Sequence, residues 1–211
     1  MNETSKGQKT RERIVAEAAH LFNQRGFEGS SMSDVMAATG LEKGGIYRHF
    51  SSKEELAAEA FDYAWKSAFE TRIHDLEQVS SSIEKLKRFI VNFINGRPAV
   101  PGGCPVLNTA VEADDGNLLL RDRVRAAWRE WRDYLAEIVA AGLKRKEIRP
   151  EVDAKQVATL IISSLEGALM IARLERNKEA LLTARSHMER YLIPRYTFRA
   201  ARAEARYYIL E

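Results

Sequence analysis

The chain has a single cysteine, Cys104, among 211 residues. No internal disulfide can form, and the fold must rest on packing alone. Proline and glycine are sparse, at five and 12 residues, and three of each fall in the single stretch Gly96 to Pro105, GRPAVPGGCP. Elsewhere little interrupts a helix. Long hydrophobic runs are also missing: the most apolar stretch, Val157 to Ala172, is broken by Ser163, Ser164 and Glu166 and reads as too short to span a bilayer. The opening MNETSKGQKTRER lacks the apolar segment of a secretory signal. The four histidines, His20, His49, His74 and His187, show no metal-ligand spacing. No Ser, His and acid set and no phosphate-cradling loop points to catalysis. Charge is nearly balanced, 33 basic against 30 acidic residues for a net +3, too little by itself to argue for nucleic acid. These absences predict a cytoplasmic protein with no metal, no cofactor, no membrane partner and no enzymatic activity.

What is present is helical periodicity, with no strand-period segment and no internal repeat. Apolar residues recur at three- and four-residue spacing from Thr10 to Arg25 (Ile14, Ala18, Leu21, Phe22), behind an arm of residues 1–9 that offers nothing to bury. A helix beginning near Ser52 carries Leu56, Ala60, Phe61, Ala64, Trp65 and Phe69; another, from Ser82 to Arg97, carries Leu86, Phe89, Ile90, Phe93 and Ile94. After the proline-rich loop come a short helix from Val106 to Ala113, a turn at Asp114 to Asn117 and a long helix over 119–145 with a seam of Val124, Trp128, Trp131, Leu135, Ile138 and Gly142. Pro150 and Asp153 are expected to separate it from a helix over Ala154 to Arg176, apolar on more than one side. In that helix Ser164, Gly167, Ala168 and Ile171 would admit a neighbouring helix closely. A last helix is expected over Lys178 to Leu192, stopped by Pro194.

The most informative stretch is Ser30 to Phe50, SSMSDVMAATGLEKGGIYRHF. Ser31 or Ser33 caps a two-turn helix whose Met32, Val35 and Met36 share a face. Gly40 ends it in a left-handed conformation, Leu41 fills the corner, and a second helix from Lys43 to Phe50 buries Ile46 and Phe50. Lys43, Gly44, Gly45, Tyr47, Arg48 and His49 are left outward. That is a helix-turn-helix layout, with a second helix small enough for a major groove. Lys43, Arg48 and Lys53 sit in a segment, 43–53, without an acidic residue.

From Thr10 to Leu56, Phe27, Gly29, S-x-S-D-V, T-G-L, K-G-G-I-Y-R-H-F and S-K-E-E-L resemble the amino-terminal domain of the TetR family of bacterial repressors. Glu42 departs from the small hydroxyl residue usual there, and Gly45 from the usual Ser or Thr. The resemblance implies an all-α chain: an N-terminal three-helix helix-turn-helix DNA-binding domain at 1–53, and a C-terminal helical bundle at 54–194 that binds a ligand and pairs its last two helices in a four-helix dimer interface. Residues 195–211 extend past the usual family end and have no assigned role; a surface helix or an appended extension both remain open. The matching positions assign Lys43, Tyr47, His49 and Lys53 to phosphates of a double-stranded operator. Ser31, Ser33, Gly45 and Arg48, with Gly44 beside them, are the candidates at base edges.

Trp65, Phe69, Phe89, Phe93, Trp128 and Trp131 are either core or the lining of an effector cavity, with Asn108, Glu112 and Glu166 as polar candidates. Glu166, in an apolar helix, must reach water, meet a cation or face a cavity. Cys104 is either a reactive sensor thiol or an inert one. The function that follows is a homodimeric, ligand-responsive transcriptional repressor released by a small, largely apolar effector. The rivals are a binding protein that has lost DNA recognition through Glu42 and Gly45, and an enzyme built on a helical bundle.

Overall fold

The computed structural model describes residues 6–113 and 116–197, and for Tyr191, Leu192, Pro194 and Arg195 only the backbone. Residues 1–5, Asp114, Asp115 and most of the 195–211 tail lie outside the described residues. Ten α-helices are described: α1 Lys6–Arg25, α2 Met32–Thr39, α3 Lys43–Tyr47, α4 Lys53–Ile73, α5 Ser82–Asn95, α6 Pro105–Ala113, α7 Leu118–Lys144, α8 Ala154–Leu174, α9 Glu179–His187 and α10 Ile193–Tyr196. The one β pairing among the described residues is an isolated antiparallel bridge between Ile148 and Thr197. The chain forms two compact units, one of residues up to Glu70 with Arg97–Trp128, the other of Thr71–Gly96 with residues from Arg129 onward.

In the first unit, Ile14, Ala18, Val35, Ile46, Phe50 and Leu56 share one core, with Met32, Met36 and Leu41 packed against it. The five-residue α3 cannot bury enough surface to stand alone; α1 and α4 supply the rest. Val100, from the proline-rich loop, is only 2% exposed and belongs to the same core. The loop is therefore part of the packing around the helix-turn-helix. Helix α1 begins at Lys6, earlier than expected, and its polar first turns, which include the weak helix former Gly7, are linked locally: Gln8 donates to Glu12 at 3.0 Å and the Thr10 hydroxyl to the Lys6 carbonyl at 3.0 Å.

In the second unit, Leu86, Phe89, Ile90 and Ile94 of α5, Trp131, Leu135 and Val139 of α7 and Val157, Ile161 and Leu165 of α8 are all buried, with Phe89 packed on Trp131. The Ser82 hydroxyl donates to the Ile138 carbonyl at 2.6 Å. Gly142 permits this approach, since a Cβ there would stand 2.9 Å from the Ser82 Cβ and 2.7 Å from the Ile148 Cδ1.

The ends of α7 and α8 fall within two residues of expectation but are not made by proline, and the last helix runs on past its expected stop. α7 stops six residues before Pro150, with Lys146 left-handed at φ 57°; the Lys146 and Glu147 amides return to the Leu143 and Gly142 carbonyls at 3.1 and 2.9 Å. That Schellman closure ends the helix without proline. α8 ends the same way, with Arg176 at φ 54° and the Asn177 amide on the Ala172 carbonyl at 3.1 Å. Pro194 does not end the last helix. A π-helical turn over Met188–Leu192 precedes it and α10 runs through it; a missing N–H is tolerated in the first turn of a helix. Beyond it, the Arg149 amide donates to the Tyr196 carbonyl at 2.8 Å.

α8, at 21 residues, is long and apolar enough by length and composition alone to cross a membrane, which corrects the expectation drawn from the shorter Val157 to Ala172 run. It carries the buried Glu166, ion-paired with Arg72 at 3.6 Å. Ala168 is already covered within the chain. The exposed stripe runs instead through Leu160, Gly167, Ile171 and Leu174, with Ser164 half-buried between them.

Candidate nucleic-acid interface and the expected effector residues

Ser31 caps α2, accepting from the Asp34 amide at 3.1 Å, while the Asp34 carboxylate accepts from the Ser31 amide at 2.7 Å. This closed capping box satisfies donors that the first helical turn leaves open. The Ser31 hydroxyl and amide hold the Asp34 carboxyl below its ordinary range, with Arg25 at 3.7 Å adding to the effect. Ser31 is thus engaged in the cap, and Ser33 is the exposed serine of α2. Gly40 takes the left-handed φ of 66°. Both serines ahead of α4 are used: Ser52 accepts from the Glu55 amide at 3.1 Å and Glu55 accepts from the Ser51 amide at 2.7 Å. The Ser51 hydroxyl and amide lower the Glu55 carboxyl in turn.

On α3, Ile46 and Phe50 are buried while Lys43, Gly44, Tyr47 and Arg48 are exposed; His49 and Gly45 are half-buried. The α-helix proper ends at Tyr47, short of the expected Phe50, and Glu42 provides no side-chain cap. The Lys43 ammonium lies 5.6 Å from the centre of the Tyr47 ring, giving a combined cationic and aromatic edge. Lys53, expected at a phosphate, stands with its ammonium 4.0 Å over the Phe27 ring, which accounts for a lysine in a first helical turn that otherwise favours acids.

Sequence reasoning missed Arg11. Its guanidinium binds Glu59 of α4 through both oxygens and lies 4.6 Å over the Phe50 ring, so one side chain ties α1, α4 and the end of the reader segment together. Arg11 and Glu59 are 48 positions apart, and no local pattern could pair them.

The expected effector residues separate. Asn108 and Glu112 belong to the first unit, and their polar atoms are committed to the chain itself. The Asn108 amide donates to the Asn23 carbonyl, the Asn23 side-chain oxygen and the Gly102 carbonyl at 3.0, 3.0 and 2.9 Å. Glu112 accepts from the Phe27 and Glu28 amides, each at 2.7 Å. These bonds hold both side chains in the wall of a cavity of the first unit, shared with Phe22, Phe61 and Leu120. Trp65 and Phe69 stack at 5.1 Å in the same unit, where Trp128 is half-buried. In the second unit Phe93 and Trp131 flank Arg72, whose guanidinium lies 4.1 Å over Trp131 and 4.8 Å over Phe93 and meets Glu166 at 3.6 Å, while Phe89 packs on Trp131 with ring centres 6.3 Å apart. Glu166 has therefore met a cation, the second of its three expected fates. Cys104 is 1% exposed. Among the described residues no group of His, Cys, Asp and Glu could hold a metal ion.

Residues 14–60 match the family model for bacterial regulatory proteins of the tetR family, and residues 82–188 match that for the tetracyclin repressor-like C-terminal domain. The chain belongs to the TetR family. A TetR transcriptional regulator from Chloroflexus aurantiacus is 50% identical, with 89% of this chain and 96% of that one covered and a TM-score of 0.85. A TetR-family regulator from Cytophaga hutchinsonii is 34% identical over 93% and 99%, with a TM-score of 0.86. The transcriptional repressor DhaR of a Mycobacterium species is 26% identical over 81% of this chain and 86% of its own. TetR-family regulators are helix-turn-helix DNA-binding transcription factors and not enzymes.

Membership gives meaning to the α3 glycines. A Cβ on Gly44 would meet nothing within 4 Å, and one on Gly45 would make only ordinary contact with Leu41, at 3.5 Å. Packing within the protein does not require glycine at either position, although each costs about 1 kcal/mol of helix propensity against alanine. The close approach of the α3 backbone to DNA that the sequence leads one to expect would supply the missing reason. Gly44→Ala is expected to stabilise the free protein by roughly 0.5–1 kcal/mol while weakening its binding to DNA, measured by thermal melting and gel shift. A variant that melts higher and binds equally well would show that the backbone stays clear of the duplex.

Proposed function

We propose that this TetR-family regulator is a ligand-responsive repressor that acts in the cytoplasm as a homodimer on a near-palindromic operator. The observation that carries the reading is the two-sided character of α3, with Ile46 and Phe50 in a shared core and Lys43, Gly44, Tyr47 and Arg48 exposed on the other side. An element held rigidly from behind presents its front in one orientation, as reading a groove requires. Lys43, Tyr47, His49 and Lys53 are assigned to phosphates; Ser33, Gly45 and Arg48 face base edges, Arg48 alone being able to fork onto guanine. Residues 1–53 act as the DNA-binding domain and 54–194 as the effector and dimerisation domain, with α4 common to both.

A small, largely apolar effector is met by the aromatic group about Trp131 in the second unit. It acts by population shift: binding the non-operator state about a hundredfold better weakens operator affinity by at most about 2.7 kcal/mol. Dimerisation through α8 and α9 is supported by an uncovered apolar stripe. Leu160, Ile171 and Leu174 of α8 are 45%, 45% and 78% exposed, Leu182 of α9 is 53% exposed, and a Cβ at Gly167 meets nothing within 4 Å. A second copy of the same helix pair would bury these residues at the close approach that Gly167 permits.

Replacing Lys43 or Tyr47 by Ala should weaken binding to the selected operator and to random duplex alike, and Lys43→Ala should reduce the slope of log affinity against log salt by about one. Unchanged affinity across a salt series would remove these phosphate contacts. Ile171→Glu with Leu174→Glu should convert a dimer to a folded monomer in sedimentation at micromolar concentration. A doubly substituted protein that stays dimeric would place the interface elsewhere.

A further inference from the structure

The turn that leads from α1 into α2 is held from outside the helix-turn-helix by one carboxylate. Gly26 closes α1 with its amide on the Phe22 carbonyl at 2.9 Å and adopts φ 83°, after which the Phe27 and Glu28 amides point the same way. Successive amides after a left-handed residue form a concave anion receptor. The occupant is Glu112 of α6, one oxygen on each amide at 2.7 Å. Gly26 is needed on two counts: its φ, and the 2.8 Å that would separate a Cβ from the Glu112 Oε1. A carboxylate at the C-terminal end of a helix opposes the helix dipole, so these amide contacts hold it against an adverse field.

The same end of α1 is fastened a second time. The side-chain amide of Asn23, 8% exposed, donates to the Pro101 and Gly103 carbonyls at 2.8 and 3.3 Å, and Asn108, one turn before Glu112 on α6, donates back to Asn23. Gly102, at φ 114°, lets the loop come so close that a Cβ would stand 2.6 Å from the Asn23 carbonyl. Downstream of the turn, Phe27 lies under the Lys53 ammonium, the Ser30 hydroxyl donates to the Gly26 carbonyl at 2.8 Å, and Ser31 caps α2. The direction in which α2 and α3 depart is thus set at Gly26 to Ser31.

We propose that Glu112 is a positioning residue for DNA binding: its carboxylate, lodged on the Phe27 and Glu28 amides, fixes the turn from which the reader helices depart. This rests on α3 being the DNA-reading element. Glu112 touches no DNA in this arrangement. Its loss leaves the phosphate-contacting side chains in place but lowers the fraction of molecules whose reader is correctly set, and apparent affinity falls by that fraction.

The test uses the full-length protein and a duplex selected from genomic fragments by the wild type. Glu112→Ala is expected to lower affinity by about tenfold or more and Glu112→Gln, which keeps one acceptor oxygen, by less. The salt slope should equal that of the wild type, since no phosphate contact is removed, whereas Lys43→Ala moves the slope. Hydrogen exchange at the Phe27 and Glu28 amides should accelerate in both variants at temperatures well below melting. Glu112→Ala that is folded and binds within twofold of wild type would overturn the proposal. If that variant does not fold, unchanged exchange at both amides in Glu112→Gln would overturn it instead. A wild type that selects no duplex would bring down the reading of α3 itself, and with it this role.

Discussion

The arrangement depends on a shortage of surface in α3. Five helical residues with one buried isoleucine, followed by Phe50, cannot fix their own orientation, because so short a helix is unstable in water and its apolar contribution is small. Orientation is borrowed from neighbours. Ile14 and Ala18 of α1, Val35 of α2, Leu56 of α4 and Val100 of the proline-rich loop close around Ile46 and Phe50, and the Arg11 guanidinium covers the Phe50 ring while gripping Glu59. Since the whole back of α3 is used this way, only its front remains for chemistry.

Much of this was legible in the sequence because it is local. A serine cap at Ser31 or Ser33, the Gly40 turn and the periodic placing of Val35, Ile46 and Phe50 are encoded within a few residues; the structure bears them out, choosing Ser31 and adding Asp34 to close the cap. The long helices were readable from their seams, and their ends to within a few residues. At Pro194 the end was misread because proline was credited with stopping a helix; before Pro150 the end was placed to within a residue and only its cause was mistaken. Left-handed Lys146 closed α7 earlier, and a π-helical turn carried the last helix onward. Such closures draw on backbone carbonyls and leave no compositional signature.

The long-range polar contacts were not legible. Asn108 and Glu112 stood out as polar residues on a short helix, but nothing in the sequence pointed to their bonds with Asn23, Phe27 and Glu28, about 85 positions away. Glu166 was readable as anomalous, and its pairing with Arg72 above Trp131 and Phe93 is one of the outcomes that a buried carboxylate allows. The proline-rich loop was correctly placed and wrongly weighed: its glycines and prolines marked a break, yet Val100 and the Pro101 and Gly103 carbonyls fasten it to the end of α1.

The central claim is that two copies of α3, each fixed from behind, enter successive major grooves with their exposed faces. Footprinting the purified protein on a fragment selected from its own genome tests this most directly. Two protected patches centred about one helical turn apart, roughly 34–36 Å, or a multiple of that spacing, are expected, each lost in a Lys43→Ala, Tyr47→Ala double variant. A single patch, a spacing off the helical repeat, or protection that survives the double substitution would contradict it.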